Sequence, residues 1–352
     1  MATSPLRTLS TTPLGPTRDR LLELTGSARA RRVVVVGDVM LDRYLVGDTD
    51  RLSPEAPVPV VSVREARSAL GGAGNVAANV TALGAECALV GVVGDDLHGA
   101  AIRTELAVHR IADAHLQTLA GRPTTTKTRV IARGQQVVRI DEEVDSLLGG
   151  DELHRLTEAA VAALEHADAL LLEDYNKGVL APTLIAEVIA CAGKRGIPVV
   201  VDPKFRHFFA YAGATVFKPN RRELESALGA SADLDHVDAL QRALELLKVQ
   251  NLLLTLGAEG MILATADRAV THIPSLARAV YDVSGAGDTV TAWMGAMLAA
   301  GATVREAAMI ANYAAGVEVT KPGVATVTAE EVLGTHEEKF DQIGRLRRGG
   351  VI

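Results

Sequence analysis

Short apolar runs that stop at acidic or glycine-bearing turns alternate with longer stretches of helical period from Arg32 onward. Val33-Val34-Val35-Val36 closes on Gly37-Asp38, the pattern of a parallel strand buried on both faces and ending at a functional loop. Segments 87–93, 169–172, 198–201 and 251–256 repeat it, the third stopping at Asp202-Pro203 and the fourth at Thr255-Leu256-Gly257. Helical period covers 72–83, 151–166, 182–195, 221–229, 236–249, the residues after Gly285, and 304–319. This alternation predicts an α/β fold with a doubly wound, mostly parallel sheet and ligands at the C-terminal ends of its strands.

Two segments break the alternation. Residues 42–67 carry Pro54, Pro57 and Pro59 among partly alternating valines, and 124–143 alternate around a turn at Gly134. Both suit exposed strands of a small β-sheet projecting from the main body. Residues 1–30 cluster Pro and Thr without sustained period and predict a flexible or partly helical extension. Residues 31–336 read as one domain and 337–352, with Arg345, Arg347 and Arg348, as a frayed tail.

Composition narrows the picture. Of 352 residues, 48% are hydrophobic but only 3% aromatic, so the core is built from Ala, Val and Leu. A net charge of -7 gives no general attraction for nucleic acid or anionic lipid. A bound phosphate must therefore be met by local cations and backbone amides. No stretch of roughly 18 apolar residues offers a membrane span, and the first thirty residues hold no signal-peptide core. Cys87 and Cys191 lack metal-ligand spacing and read as reduced thiols, so a cytoplasmic location is expected.

Candidate chemistry centres on Asp282-Val283-Ser284-Gly285-Ala286-Gly287-Asp288-Thr289, set just before an apolar helix. Small residues allow close backbone approach, and free amides at a helix start favour an anion. A carboxylate there repels phosphate unless it handles a proton, so Asp288 reads as the acceptor of a hydroxyl proton. The alternative, a helix cap on a glycine turn, stays open. Gly72 and Asn75, in Gly71-Gly72-Ala73-Gly74-Asn75, can meet a polyhydroxylated ligand or simply form a tight turn. Lys127, Arg129, Lys177, Lys204 and Arg51 are more cations than a neutral sugar requires, and each can equally be a solvated surface charge. Thr255, Gly257 and Gly260 read as a nucleotide edge or an ordinary strand turn.

Together, Gly-Gly-x-x-Asn near the start, Asp-Val-x-Gly-Ala-Gly-Asp near the end and Asn220-Arg221-Arg222-Glu223 between them resemble the signature set of the ribokinase-like PfkB family. Residues 37–44, 53–60 and 174–178 resemble its heptose 7-phosphate kinase branch in particular. The resemblance implies an ATP-dependent kinase with Asp288 as general base and Gly285, Ala286 and Gly287 as the anion hole. It implies Asn220 and Glu223 near the phosphates, Glu223 holding Mg²⁺ through water, and Asn312 beside the nucleotide or a monovalent cation. Asp38, Asp42, Gly72, Asn75, Lys127, Arg129 and Lys204 are expected at the acceptor, a heptose 7-phosphate phosphorylated on O1. The small sheet is expected to be a lid and the interface of a homodimer. With no His-x-Gly-His motif in the chain, nucleotide transfer is expected on a separate protein. Rival readings are another sugar or sugar phosphate as acceptor, and a non-catalytic sugar- or nucleotide-binding regulator. A Rossmann dehydrogenase lacks support because no Gly-x-Gly-x-x-Gly follows the first strand.

Overall fold

The computed structural model describes residues 10–11, 15–229, 236–277 and 280–337. Its larger sheet has ten strands, in the order Ser10–Thr11, Val270–Ile273, Met261–Thr265, Asn251–Thr255, Val216–Phe217, Val199–Asp202, Ala169–Glu173, Arg32–Gly37, Glu86–Gly94 and Leu116–Leu119. Neighbours run parallel except where Met261–Thr265 pairs antiparallel with Asn251–Thr255 and Val270–Ile273. The valine run explains why helices cover both faces. Val33 and Val35 enter one core with Leu171 and Trp293, while Val34 and Val36 enter the other with Leu170 and Leu172. Trp293, Met294 and Met297 are fully buried, so the Ala286–Ala299 helix lies pinned across the sheet.

The second sheet, ordered Pro59–Gly72, Val39–Leu52, Thr126–Ala132 and Gln135–Glu142, grows directly from the first. Only Asp38 separates the end of Arg32–Gly37 from Val39–Leu52. The return crosses Gly72, whose φ of 55° and ψ of -132° suit only glycine. A Cβ there would lie 2.4 Å from the Asp38 carbonyl oxygen, which accepts the Ala73 amide at 3.0 Å. Asp38, the two sheets and the Ala73–Ala82 helix are thereby locked at one junction.

The extension expected over residues 1–30 is, where described, a docked helix rather than a flexible arm. Arg18–Ala28 buries Leu21, Leu24 and Ala28 completely, at i, i+3 and i+7, and Thr17 caps its start. Residues 1–9 and 12–14 and the tail from residue 338 lie outside the described residues. No described helix is long and apolar enough to cross a membrane.

Candidate active site

Five parallel strands deliver polar residues from their C-terminal ends to one region, as an open α/β sheet should. Arg32–Gly37 leads to Asp38, Ala169–Glu173 to Asp174 and Tyr175, Val199–Asp202 to Lys204, Val216–Phe217 to Lys218 and Asn220, and Asn251–Thr255 to Gly257. The Ala286–Ala299 helix points its first turn at the same place. A cavity of about 510 Å³ between them is lined by Gly285, Ala286, Gly287, Asp288, Asn220, Glu223, Thr255, Gly257, Gly260, Asn312 and Lys204, all anticipated from the sequence.

Asp288 sits in that first turn, 4% exposed. Its Oδ2 accepts from Asn75 Nδ2 and its Oδ1 from the Tyr175 hydroxyl, each at 2.8 Å. Asn75 is itself fixed, because Asn79 Nδ2 donates to its Oδ1 at 3.1 Å. Burial pushes the Asp288 carboxyl up to about 6, while both donors pull the other way. Gly285 precedes the helix at φ 96° and no side chain caps it. The Ala286 amide reaches the Val283 carbonyl at 3.4 Å, while the following amides of Gly287 and Asp288 remain available to an anion in the cavity. A Cβ on Gly285 would meet Asn75 Nδ2 at 3.0 Å, so this glycine also preserves the contact that holds Asp288.

Asn220 and Glu223 form a reciprocal capping box on the Arg221–Leu228 helix, both bonds being 2.9 Å. The other Glu223 oxygen takes Lys204 Nζ at 2.5 Å, and that ammonium lies 5.1 Å from the Tyr175 ring centroid. Asn312 lines the cavity while donating to the Pro274 carbonyl at 2.9 Å.

The remaining sequence candidates lie outside the cavity lining. Asp38 is 1% exposed, and its carboxylate accepts the backbone amides of Tyr175, Lys177 and Val179 at 2.8, 2.9 and 3.2 Å. Gly72 is at the junction described above, and Asn75 reaches the site only through Asp288. Asp42 pairs with Arg129 on adjacent strands of the small sheet, and Lys127 pairs with Glu143 at 3.3 Å. Lys177 takes the other oxygen of Glu143 at 2.8 Å.

Sequence reading assigned no role to Tyr175, Asp202, Lys218 or Glu173. Lys218 is 3% exposed and donates to Asp202 Oδ2 at 2.6 Å, which keeps its ammonium charged despite burial. A lysine between Phe217 and Pro219, directly before the Asn220 motif, is the signal that could have exposed it. The donor set toward the cavity (Asp202, Asn220, Glu223) is hard oxygen and suits Mg²⁺ rather than a softer metal.

Known proteins with similar sequences include bifunctional protein HldE of Rhodospirillum rubrum, 43% identical over 322 residues, covering 91% of this chain and 65% of that protein. The same-named protein of Azorhizobium caulinodans is 46% identical over 315 residues, covering 88% of this chain and 65% of that one. The chain thus spans about 65% of the length of the curated relatives it matches. Arabidopsis thaliana ribokinase, solved with ribose and ATP, superposes with a TM-score of 0.69 at 21% identity, covering 88% of this chain and 99% of that one. Phosphofructokinase-2 from Escherichia coli, solved with fructose-6-phosphate, gives 0.71 at 18% identity, with the same coverage of 88% and 99%. The doubly wound sheet with its small second sheet is therefore the ribokinase-like fold. The family model for pfkB carbohydrate kinases matches residues 30–331, and the chain belongs to that family.

Proposed function

We propose that this protein transfers the γ-phosphoryl group of ATP to a hydroxyl of a sugar phosphate, with Asp288 accepting the hydroxyl proton. One observation carries the reading: a buried carboxylate held by two donors on the uncapped opening turn of a helix, facing a cavity edged by lysines. The acceptor oxygen attacks the γ-phosphorus as its proton passes to Asp288. The bond between that phosphorus and the bridging oxygen breaks, and ADP departs with the electron pair. Opening amides of the Ala286–Ala299 helix, with Lys218, stabilise the charge on the transferring group. Thr255, Gly257, Gly260 and Asn312 flank the nucleotide. Glu223, beside Asn220, would hold Mg²⁺ through water, and the ion supplies charge neutralisation to the phosphates.

The favoured acceptor is D-glycero-D-manno-heptose 7-phosphate, phosphorylated on O1 to the 1,7-bisphosphate. Support comes from the branch motifs at 37–44, 53–60 and 174–178 and from the 43–46% identity to the HldE proteins. Asn75 and Gly72 would meet the sugar, with Asp38 and Asp42 close by. Lys127, Arg129 and Lys204 would meet its phosphate, the first two exchanging Glu143 and Asp42 for the ligand. The small sheet acts as the lid, excluding water that would otherwise take the phosphoryl group. Val137, Val138 and Ile140, exposed on its Gln135–Glu142 strand, suit the homodimer interface. A cytoplasmic setting goes with ATP as donor and with two unbridged cysteines.

The deciding experiment measures ADP release from Mg-ATP across heptose 7-phosphate, sedoheptulose 7-phosphate, fructose 6-phosphate, ribose and fructose. Strong preference for the heptose phosphate is expected. Turnover on another sugar alone discards the branch, and silence with ATP still bound discards the kinase reading.

A second expectation concerns the base. Tyr175→Phe removes one donor from the ionised Asp288 carboxylate, so its proton affinity rises further. The acid limb of kcat/KM should move up by about one to two pH units, since a hydrogen bond to a charged group is worth roughly 1.5–3 kcal/mol. A pH–rate profile that does not move removes Tyr175 from this role.

A further inference from the structure

Directly beneath the Asp288 turn lies a group of carboxylates that the proposed reaction leaves partly unused. Glu173 and Asp202 end adjacent parallel strands in matched register, so their side chains leave the same face of the sheet. One oxygen each from Glu173, Asp202 and Asp288 lie within 4.8 Å of one another. Glu173 is wholly buried, and neither of its oxygens has a hydrogen-bond partner. No direct proton-sharing contact therefore joins it to Asp202 or Asp288. Buried carboxylates survive when a cation or a proton compensates them. Lys218 neutralises one of the three charges through Asp202. Asp288 has neutral donors only, and Glu173 has none. Two formal negative charges are left around one gap. Burial and the two neighbouring acids both push the Glu173 carboxyl well above its ordinary range, which records the same imbalance.

We infer that Glu173, Asp202 and Asp288 form a binding site for a hard divalent cation. Three oxygens spaced at the full 4.8 Å would leave an ion about 2.8 Å from each, so side-chain shifts of a few tenths of an ångström reach the calcium range of about 2.3–2.6 Å, and slightly larger ones admit manganese. The residual charge of minus two favours a divalent over a monovalent ion. Entry is available because Asp202 and Asp288 both line the cavity floor. The site shares Asp202 with the Mg²⁺ donor set but does not include Glu223, whose oxygens take the Asn220 amide and Lys204. An ion here would draw on the Asp288 carboxylate and oppose its taking a proton. Divalent cation in excess over ATP should then slow turnover. That consequence rests on the proposed kinase reaction; occupancy of the site does not.

The test titrates Mn²⁺ into nucleotide-free, EDTA-treated protein, following free Mn²⁺ by its electron paramagnetic resonance signal and unfolding by Tm. Parent protein should bind one Mn²⁺ that raises Tm, and Glu223→Gln should keep both effects. Glu173→Gln should weaken binding at least tenfold and abolish the Tm shift, and Glu173→Ala answers the same question should the first variant fold poorly. Undiminished Mn²⁺ binding by the folded Glu173 variants overturns the site. So does failure of the parent to bind, which would leave a proton or a water in the gap.

Discussion

Asp288→Asn should lower turnover by roughly 10²–10⁴-fold while ATP affinity stays nearly unchanged, because the amide keeps the shape of the carboxylate and loses only its capacity for the proton. Asn75 and Tyr175 can still bond the new side chain, the tyrosine hydroxyl reversing its role to accept from the amide. The same substitution should stabilise the protein at neutral pH. Asp288 titrates at about 6 in the folded chain against an ordinary 3.8, chiefly because it is buried. Between these values the folded state holds more protons than the unfolded one. Stability therefore falls as pH rises from about 4 through 6, and the ionised group costs stability above that window. Asparagine removes that cost, so the variant should melt higher at pH 7 to 8, the gain fading toward pH 4. Steady-state kinetics, nucleotide titration and Tm at three pH values check this. Parental turnover in the variant would remove Asp288 as base, and a melting point lowered at neutral pH would contradict the account of its burial.

Much of this arrangement was legible in the sequence where local chemistry is explicit. Val33–Val36 reads as a strand buried on both faces, and its odd and even members do enter different cores. Gly285 through Asp288 reads as an anion-facing helix start because small residues and one acid leave few other uses. The antiparallel pair Met261–Thr265 and Val270–Ile273 was not read, since each strand is brief and mixes Thr, Ala and His with its apolar residues. A partly helical N-terminal extension is legible, but its docking as Arg18–Ala28 is not, because only Leu21, Leu24 and Ala28 carry its apolar stripe, on a segment of mostly polar residues. Long-range polar contacts were less accessible still. Nothing local to Tyr175 says that its hydroxyl meets a residue 113 positions away, and Glu173 becomes conspicuous only when register sets it beside Asp202. Lys127 and Arg129 look like free cations in sequence; the fold gives each an acidic partner.

Asp38→Ala should destabilise the protein by roughly 2–5 kcal/mol, because it leaves buried amides without an acceptor. Three backbone donors, from Tyr175, Lys177 and Val179, converge on that carboxylate. Burial, together with the neighbouring Asp174 charge, lifts its titration to about 6 in spite of them. Ionised Asp38 is thus itself costly, and removing it returns part of the loss. The stranded amides still dominate, since the loop's other charged anchors, the Asp174 carboxylate on the Asn176 amide and the Arg122 guanidinium on the Lys177 carbonyl, bond none of these three donors. Asp38→Asn should fall between parent and alanine, keeping one acceptor oxygen and turning an amide donor toward the remaining N–H. A residue that only contacts sugar would behave differently: KM for the acceptor would rise with Tm unchanged, and that outcome would defeat the structural account. The loop reading makes one more demand. Asp38 holds the Tyr175 backbone while the Tyr175 hydroxyl holds Asp288, so freeing the loop should disturb the base as well. Asp38→Ala, assayed below its lowered Tm, should therefore shift the acid limb of kcat/KM in the same direction as Tyr175→Phe. Agreement between the two profiles would tie the end of the first parallel strand to the proton-accepting group, through one tyrosine.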